Sequence, residues 1–546
     1  MISVPLRRIS LFHLLAFYVS VFSQDLTANL DYGSFEGAYS SRYNISYWQK
    51  IPFAAPPIGE NRFRAPQPPS PITNGTYNST QTFPYCPQRY GVNNGSEDCL
   101  YLGLYSRPWT QSQPLRPVVV AYFGGGFIQG GGSFNIPHSA YPILNVSTSN
   151  DLVFVYPNYR VNAFGFLPGQ EIKDSNTSDL NAGLLDQYAA LEWTNKYIEA
   201  FGGDPKNVSI WGQSAGAGSV VAQVIANNGT EKPRLFTKAL ASSPFWEKTY
   251  QYDAPEAQGL YDTLANYTGC STLFENVTDS LRCLKTVDTD KIREAALAIS
   301  AFHTYNTSSY SWAPVIDGTF LTQPLNQAVT KGEVNIDFGF GMYNLNEGTN
   351  FVPPGLQNAS NSTTIGQPQF NSSEESYQYW LRGFLPNITE ADLEEVNTLY
   401  PSAGSAEELP SYNTTYVRAG LVYRDVVLAC PAFWMARAAY GQSYVGEYTI
   451  SPAKHGSDTE WWNQVNAVQQ TDPLIYDGYA GAFASFFATG DPNVHKLTNS
   501  SQPGVPQSNS TGKEFVIEQD GFANTNTTQL ESRCAFWLSI ADRVPL

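Results

Sequence analysis

The sequence predicts an α/β fold in which one large, mostly parallel central sheet carries helices on both faces. Five short apolar runs favour strands and lead into Gly-containing turns, at 118–122, 152–156, 208–211, 338–343 and 444–448. Helical patterns lie between them, at 184–199 and 215–226. Alternation of buried strands with helices is typical of parallel sheets covered on both sides. No repeat with a period of about 20 to 50 residues occurs, which excludes solenoids and propellers.

The chain is expected to form one large domain rather than several small ones. Its 546 residues would suffice for three or four domains of ~150 residues each. However, the polar stretches 353–373 and 497–529 have the composition of surface loops and not of interdomain linkers. We therefore expect residues 24–546 to be a single domain with loop and helix insertions.

The composition is that of a large globular protein with few charges. Hydrophobic residues make up 42% of the chain, whereas Asp, Glu, Lys and Arg make up only 14%, against about 25% in average soluble domains. This profile excludes disordered chains, collagen and coiled coils. With 31 Lys and Arg against 48 Asp and Glu, the net charge is −17. Phosphate backbones and anionic lipids would repel such a chain, so we expect no nucleic-acid partner.

Residues 1–23 have the pattern of a secretory signal peptide. Arg7 and Arg8 precede an apolar run at 9–22, and the small residue Ser23 permits cleavage after it. The run is shorter than the ~20 residues that a membrane-spanning helix needs. We therefore expect a secreted protein without a stable membrane anchor, and an uncleaved anchor is the alternative. The chain contains 19 Asn-x-Ser/Thr sequons, which predict N-linked glycans on its surface.

Six cysteines lie after the signal segment, and an even number suits disulfides formed in an oxidising compartment. They are Cys86, Cys99, Cys270, Cys283, Cys430 and Cys534. Six cysteines allow fifteen pairings, so counting alone leaves the connectivity open. Because neither Cys-x-x-Cys spacing nor nearby histidines accompany them, we expect no zinc site, and no other metal or cofactor is indicated.

Ser214 lies in the pentapeptide Gly212-Gln-Ser-Ala-Gly216, a Gly-x-Ser-x-Gly pattern. The pattern alone is weak, but its position between a predicted strand and a predicted helix makes it specific. The two glycines allow a sharp turn where a Cβ would clash. Such a turn raises the serine hydroxyl above the sheet at a helix N-terminus, whose partial positive charge favours a developing anion. The pattern predicts a nucleophile, and the alternative is a serine that only caps the helix.

A run of three glycines at 124–126 follows the predicted strand 118–122. Backbone N–H groups in such a run can approach a ligand without obstruction by side chains. An enzyme of acyl transfer needs such donors to hold the oxyanion of its tetrahedral intermediate. We expect the donors to be the N–H groups of Gly125, Gly126 and Ala215. The alternative is an ordinary turn.

His455 is the histidine best placed to take a proton from Ser214. It follows the predicted strand 444–448, where a loop can reach the C-terminal edge of the sheet. The remaining histidines lie in the signal segment or in polar surroundings without a flanking pattern, namely His13, His138, His303 and His495.

Glu347 directly follows the predicted strand 338–343 and lies between Ser214 and His455 in the chain. The order serine, acid, histidine is the one expected with this type of serine turn. The Glu347 carboxylate would hold the tautomer of His455 and stabilise its imidazolium form. The position of Glu347 in the chain does not by itself exclude other carboxylates from this role.

With these residues in place, the chain resembles the type-B carboxylesterases, the family of the cholinesterases and fungal lipases. The resemblance extends from about residue 37 to residue 535. Matching segments include Ser96-Glu-Asp-Cys-Leu-Tyr-Leu102, Asn158-Tyr-Arg160, Phe201-Gly-Gly-Asp-Pro205, Asn344-Leu-Asn-Glu-Gly348 and Gly490-Asp-Pro-Asn493.

The resemblance implies an α/β-hydrolase fold and ester hydrolysis through an acyl-enzyme, without a metal or organic cofactor. Its implied triad is Ser214, Glu347 and His455, with the oxyanion donors named above. It also implies consecutive disulfides, structural ion pairs and one residue that supports the acid: Cys86–Cys99, Cys270–Cys283, Cys430–Cys534, Arg62–Glu97, Arg160–Asp186 and Ser242.

Two departures from the family pattern concern the substrate. Gln213 stands where most members carry Glu, which removes a negative charge beside the nucleophile. The loop from Cys86 to Cys99 has only twelve residues between its cysteines, much shorter than a fungal-lipase lid, and it lacks the Trp that binds choline in cholinesterases. Because a quaternary ammonium needs an aromatic face and negative charge, choline esters are disfavoured.

We therefore expect an esterase that acts on short- or medium-chain or aryl esters and has no large lid. Lipase, sterol esterase and feruloyl esterase activities remain alternatives within the same family, so the substrate is a small-molecule or lipid ester. A catalytically dead adhesion or binding module is the alternative from another class. It is disfavoured because all three triad residues are present.

Overall fold

An eleven-stranded sheet forms the centre of the computed structural model, and a separate sheet of three strands lies beside it. The structure describes residues 26–88, 95–132, 136, 138–146, 151–300, 309, 311–359, 370–402, 414–495 and 501–544. The predicted signal peptide, His13 and His303 lie outside the described residues.

The strands of the described part are numbered in chain order. They are β1 (Thr27–Leu30), β2 (Gly33–Glu36), β3 (Ala38–Ser40), β4 (Ile45–Pro52), β5 (Thr76–Asn78), β6 (Tyr101–Ser106), β7 (Arg116–Tyr122), β8 (Val153–Pro157), β9 (Gly203–Gln213), β10 (Lys238–Ser242), β11 (Phe338–Asn344), β12 (Gln442–Tyr448), β13 (Lys513–Glu518) and β14 (Gly521–Asn526).

The large sheet has the order β14-β13-β12-β11-β10-β9-β7-β8-β6-β4-β3, and the small sheet has the order β1-β2-β5. All neighbours from β13 across to β8 pair in parallel. Antiparallel pairs complete both edges of the sheet. The predicted α/β class with a large, mostly parallel sheet is therefore confirmed.

The α-helices of the described residues are α1 (Tyr141–Val146), α2 (Asn162–Phe166), α3 (Gln170–Lys173), α4 (Ala182–Tyr197), α5 (Ala215–Ile225), α6 (Pro255–Thr268), α7 (Ser280–Thr286), α8 (Thr289–Ser300), α9 (Leu325–Lys331), α10 (Glu374–Phe384), α11 (Glu390–Leu399), α12 (Thr415–Arg424), α13 (Cys430–Arg437), α14 (Thr459–Trp462), α15 (Val468–Thr471), α16 (Pro473–Thr489), α17 (Ser508–Thr511) and α18 (Thr528–Ser539). Short 3-10 helices lie at Gly59–Asn61, Ile198–Phe201, Ala226–Gly229, Glu347–Asn350 and Pro354–Gln357, and a π-helix lies at Asp425–Ala429.

Alternate residues of β7 supply the cores on the two faces of the sheet. Val118 and Val120 are completely buried in one hydrophobic cluster, together with residues of α4 and α5. Val119 and Ala121 are buried in a second cluster with residues of α16. Because successive side chains of a strand point to opposite faces, a strand covered on both sides must be apolar throughout. This explains the continuous apolar runs of the sequence.

Four of the predicted strands lie within β7, β9, β11 and β12, the fifth (152–156) overlaps β8, and the two predicted helices correspond to α4 and α5. The prediction of a surface loop at 497–529 is wrong in part, because this stretch contains the antiparallel hairpin of β13 and β14. Its buried apolar run in β13 is short, Phe515 to Ile517, and charged residues stand on both sides of it. An edge hairpin needs only a few inward residues, so its composition remains close to that of a loop.

One continuous helical stretch, Thr415–Arg437, combines α12, the π-helix and α13, and it is long and apolar enough to cross a membrane. Its most apolar part is entirely buried inside the protein. The stretch therefore serves as a core helix of this fold.

Candidate active site

The predicted nucleophile lies at a sharp turn between a strand and a helix. Ser214 follows the last residue of β9 and precedes the first residue of α5, with φ 59° and ψ −129°. Non-glycine residues rarely adopt this backbone conformation, so the turn is strained. Three backbone hydrogen bonds hold it: the N–H of Ser214 donates to Ser242, and its carbonyl accepts from Gly218 and Phe245.

The two glycines of the pentapeptide are required by close backbone approaches. A Cβ on Gly212 would lie 2.3 Å from the carbonyl atoms of Gly216, and a Cβ on Gly216 would lie 2.1 Å from the carbonyl oxygen of Tyr122. Contacts this short do not occur for real side chains. The sequence thus forms this turn because both positions lack a side chain.

The glycine run follows the C-terminal end of β7, beside the serine turn. A Cβ on Gly124 would lie 3.0 Å from the Cβ of Ser214. Gly125 and Gly126 have φ values of 121° and 63°, a region that only glycine adopts readily. Ala215 is completely buried as the first residue of α5. The three predicted amide donors therefore belong to segments that meet at Ser214.

Glu347 and His455 are joined by a hydrogen bond. The Nδ1 atom of His455 lies 2.8 Å from Oε2 of Glu347. The Glu347 side chain is fully buried, whereas that of His455 is 13% exposed. The other carboxylate oxygen of Glu347 accepts from the backbone N–H of Asn344 at 3.0 Å. A carboxylate held in this way fixes the orientation of the imidazole.

Two polar residues that the sequence reasoning missed fasten the histidine loop to the end of β11. The side-chain amide of Asn344 donates to the carbonyl of Lys454 at 2.8 Å and to Oδ1 of Asp458 at 3.1 Å. Asp458 also accepts from Trp462 and Tyr479. Burial raises the pKa of Asp458 despite these donors. A carboxylate three residues after His455 is the signal that could have identified it.

The second ring nitrogen of His455 faces Gln213. The Nε2 atom of the ring lies 3.4 Å from the side-chain nitrogen of Gln213, so with Nδ1 protonated toward Glu347, Nε2 accepts from this amide. In the described part of the chain no hydrogen bond joins His455 to the hydroxyl of Ser214. The structure thus brings His455 against Glu347 and against the residue next to the serine.

The structure also contains the ion pairs and disulfides that the family resemblance implies. Buried ion pairs join Arg62 to Glu97 and Arg160 to Asp186, which confirms both predictions. The disulfides pair Cys86 with Cys99, Cys270 with Cys283 and Cys430 with Cys534. The hydroxyl of Ser242 accepts from the indole of Trp211 at 3.3 Å, and among the described residues it forms no hydrogen bond to Glu347. Among the described residues, no group of three or more His, Cys, Asp or Glu side chains could hold a metal ion.

The whole architecture is shared with a solved esterase structure. The crystal structure of Aspergillus niger EstA aligns with a TM-score of 0.79 and 26% identity, covering 96% of this chain and 99% of that chain. The fold and the arrangement at the C-terminal edge of the sheet define an α/β hydrolase. The model of the carboxylesterase family matches residues 24–537, and the chain belongs to this family.

Curated relatives of the chain include two fungal lipases. Lipase 4 of Diutina rugosa is 29% identical over 503 residues, which cover 83% of this chain and 86% of that protein. Secreted lipase 4 of Gibberella zeae is 27% identical over 531 residues, covering 92% and 89%. The enzyme class of the chain is that of a serine carboxylesterase.

Proposed function

We propose that the protein is a secreted esterase that hydrolyses short- or medium-chain or aryl carboxylic esters through an acyl-enzyme. The observation that carries this proposal is the 2.8 Å hydrogen bond between Glu347 and His455, next to the strained turn of Ser214. A positioned carboxylate, an imidazole and a serine are the three groups that nucleophilic catalysis by serine requires.

In the proposed mechanism, Ser214 Oγ attacks the ester carbonyl and transfers its proton to Nε2 of His455. Attack requires this nitrogen to turn from Gln213 toward the serine hydroxyl. Glu347 stabilises the resulting imidazolium through Nδ1, and the N–H groups of Gly125, Gly126 and Ala215 stabilise the oxyanion. His455 then protonates the departing alcohol, and water releases the acid by the reverse sequence.

Aromatic rings around the histidine support a small or aryl acyl group. The ring of Phe351 lies 5.1 Å from that of His455, edge to face, and 5.7 Å from that of Phe245. The carbonyl oxygen of Phe245 would lie 2.3 Å from a Cβ on Gly218, so the backbone of Phe245 lies against α5. The Cys86–Cys99 loop supplies little chain for a lid, which disfavours long-chain lipids at an interface.

Export from the cell is supported by two kinds of observation. The N-terminal sequence has the pattern of a signal peptide, and a curated relative is named as a secreted lipase. In addition, all six cysteines are paired in three disulfides, which persist in oxidising compartments.

The proposal is tested with Ser214→Ala and with Ser532→Ala as a control at an exposed serine of α18. We expect kcat for p-nitrophenyl butyrate to fall by at least about 10⁴-fold in the first variant only. A fluorophosphonate probe should label the unaltered protein and the control but not Ser214→Ala. Undiminished turnover by Ser214→Ala would refute the assignment. A series of p-nitrophenyl esters with acyl chains of about two to sixteen carbons tests the acyl-chain preference. A maximum of kcat/KM at the longest chains would favour a lipase.

A further inference from the structure

A cavity beside the serine turn has a volume of about 660 Å³, within the range of small-molecule sites. We call it the Gln213 cavity, and its walls include Gln213, Gly124, Tyr85, Trp462 and Asn463. Both Gly124 and Gln213 adjoin the nucleophile: Gln213 precedes Ser214 in the chain, and a Cβ on Gly124 would lie 3.0 Å from the Cβ of Ser214. A group bound in this cavity is therefore next to the reacting serine.

The described walls of the Gln213 cavity carry no charged side chain. Asp, Glu, Lys and Arg are absent among the described lining residues. The one histidine among these described residues is His138. Burial lowers the pKa of its imidazole to about 3, so the ring is uncharged at neutral pH. A cation in the cavity would lose its hydration without gaining an opposite charge. The cavity therefore suits an uncharged group.

The walls combine aromatic rings with side-chain amides. The ring of Tyr85 lies directly against Gly131, where a Cβ would be 1.9 Å from it, and the indoles of Trp211 and Trp462 also line the cavity. The side-chain amide of Asn463 has no hydrogen-bond partner within the described part of the chain. Ring faces bind the apolar side of a cyclic polyol, and unpaired amides bind its hydroxyls.

We infer that the Gln213 cavity binds the alcohol portion of the ester, and that this alcohol is a neutral polyhydroxylated ring such as a sugar. The inference rests on the proposed ester hydrolysis and specifies its substrate class. An alkyl chain would offer the Asn463 amide no hydrogen-bond partner, at a cost in affinity. A choline group would find no carboxylate, because Gln213 is neutral.

The first experiment compares three esters with one acyl group: 6-O-propionyl methyl glucoside, propionylcholine and hexyl propionate. Because the acyl group is constant, differences in kcat/KM report the alcohol site alone. We expect kcat/KM for the glucoside ester to exceed both others by at least about tenfold, the size expected when hydrogen-bonding groups are left unpaired. A preference for the choline or the hexyl ester would overturn the inference while leaving ester hydrolysis intact.

Variants of the walls should change the preference in opposite directions. Tyr85→Ala and Asn463→Leu are expected to lower the ratio of glucoside to hexyl turnover by about five- to tenfold. Gln213→Glu places a carboxylate in the cavity and is expected to raise the ratio of choline to glucoside turnover. Tyr267→Ala, at an exposed tyrosine of α6 (57% exposed) far from the named walls in sequence, is the control. If none of the four variants changes either turnover ratio relative to the unaltered protein, the inference is contradicted.

Binding is measured separately from catalysis in the Ser214→Ala protein. Methyl glucoside and choline chloride are titrated, and the tryptophan fluorescence is followed because Trp211 and Trp462 line the cavity. We expect a saturable change with methyl glucoside only, and its loss when Asn463→Leu is added. If methyl glucoside saturates this variant but the unaltered protein hydrolyses none of the esters, the proposed function is overturned and the cavity assignment is supported. Absence of saturation, or saturation by choline instead, would overturn the cavity assignment.

Discussion

The Nδ1 atom of His455 lies 2.8 Å from Oε2 of Glu347, whose side chain is fully buried. Glu347→Gln keeps the size of this side chain but removes the charge that holds the productive tautomer. We expect kcat for p-nitrophenyl butyrate to fall about 10³- to 10⁴-fold with little change in KM. Glu518→Gln, at an exposed carboxylate of β13, is the control. A kcat within tenfold of the unaltered protein would exclude Glu347 as the orienting acid.

The serine turn should not accept a methyl group at Gly212. Because its Cβ would lie 2.3 Å from the backbone of Gly216, Gly212→Ala is expected to lower the free energy of unfolding by at least about 3 kcal/mol. Gly259→Ala is the matched control, since Gly259 lies in α6 with no atom near its Cβ position. That control should stabilise the protein by about 0.5–1 kcal/mol. Urea unfolding measures both values, and equal stability of the two variants would contradict this account.

The ion pair between Arg160 and Asp186 is deeply buried, with side-chain exposures of 3% and 0%. Asp186→Asn leaves the Arg160 guanidinium without its counter-charge, and we expect a loss of about 3–5 kcal/mol in the free energy of unfolding. The exposed pair of Lys196 and Asp31 provides the comparison, and Asp31→Asn should change the stability little because water screens that pair. Denaturant titration distinguishes the two outcomes, and similar losses in both variants would show that burial does not decide the effect.

Burial of His138 should make the protein less stable in acid. Its pKa falls from 6.5 to about 3 in the fold because burial disfavours the imidazolium. Between these values the unfolded chain binds a proton that the folded chain does not, so the free energy of unfolding decreases as the pH falls. From pH 7 to pH 4.5 this contribution is about 2–3 kcal/mol. The unaltered protein should lose that much more than His138→Asn over the same interval, and parallel losses would contradict the prediction.

The buried parallel strands were predictable where they form a continuous apolar run, as in β8. Val153 to Pro157 is buried along its whole length, and such a run is distinct from its polar surroundings in any sequence. The hairpin of β13 and β14 escaped prediction because the apolar run of β13 has only three residues, 515–517, between charged ones, and β14 carries Asn and Thr. Local composition identifies a strand most readily where its apolar run is long.

The motif residues of the site were predictable since backbone geometry limits their identity. Gly212 and Gly216 have no room for a side chain, so the pentapeptide is visible in the sequence. The contact of Gln213 with His455 and the bond of Asp458 to the end of β11 were not predictable. Both contacts join segments more than a hundred residues apart in the chain. A local sequence pattern does not encode which distant segments come together.

The bond between Cys430 and Cys534 closes a ring of chain with a sequence separation of 104 residues, and His455 lies inside that ring. A single cut by a protease anywhere between the two cysteines would leave both pieces covalently attached to the same molecule. The fragment bearing the imidazole could then not diffuse away from the fragment bearing the serine. A clipped molecule would therefore keep both halves of its reaction centre until a reductant opened the ring.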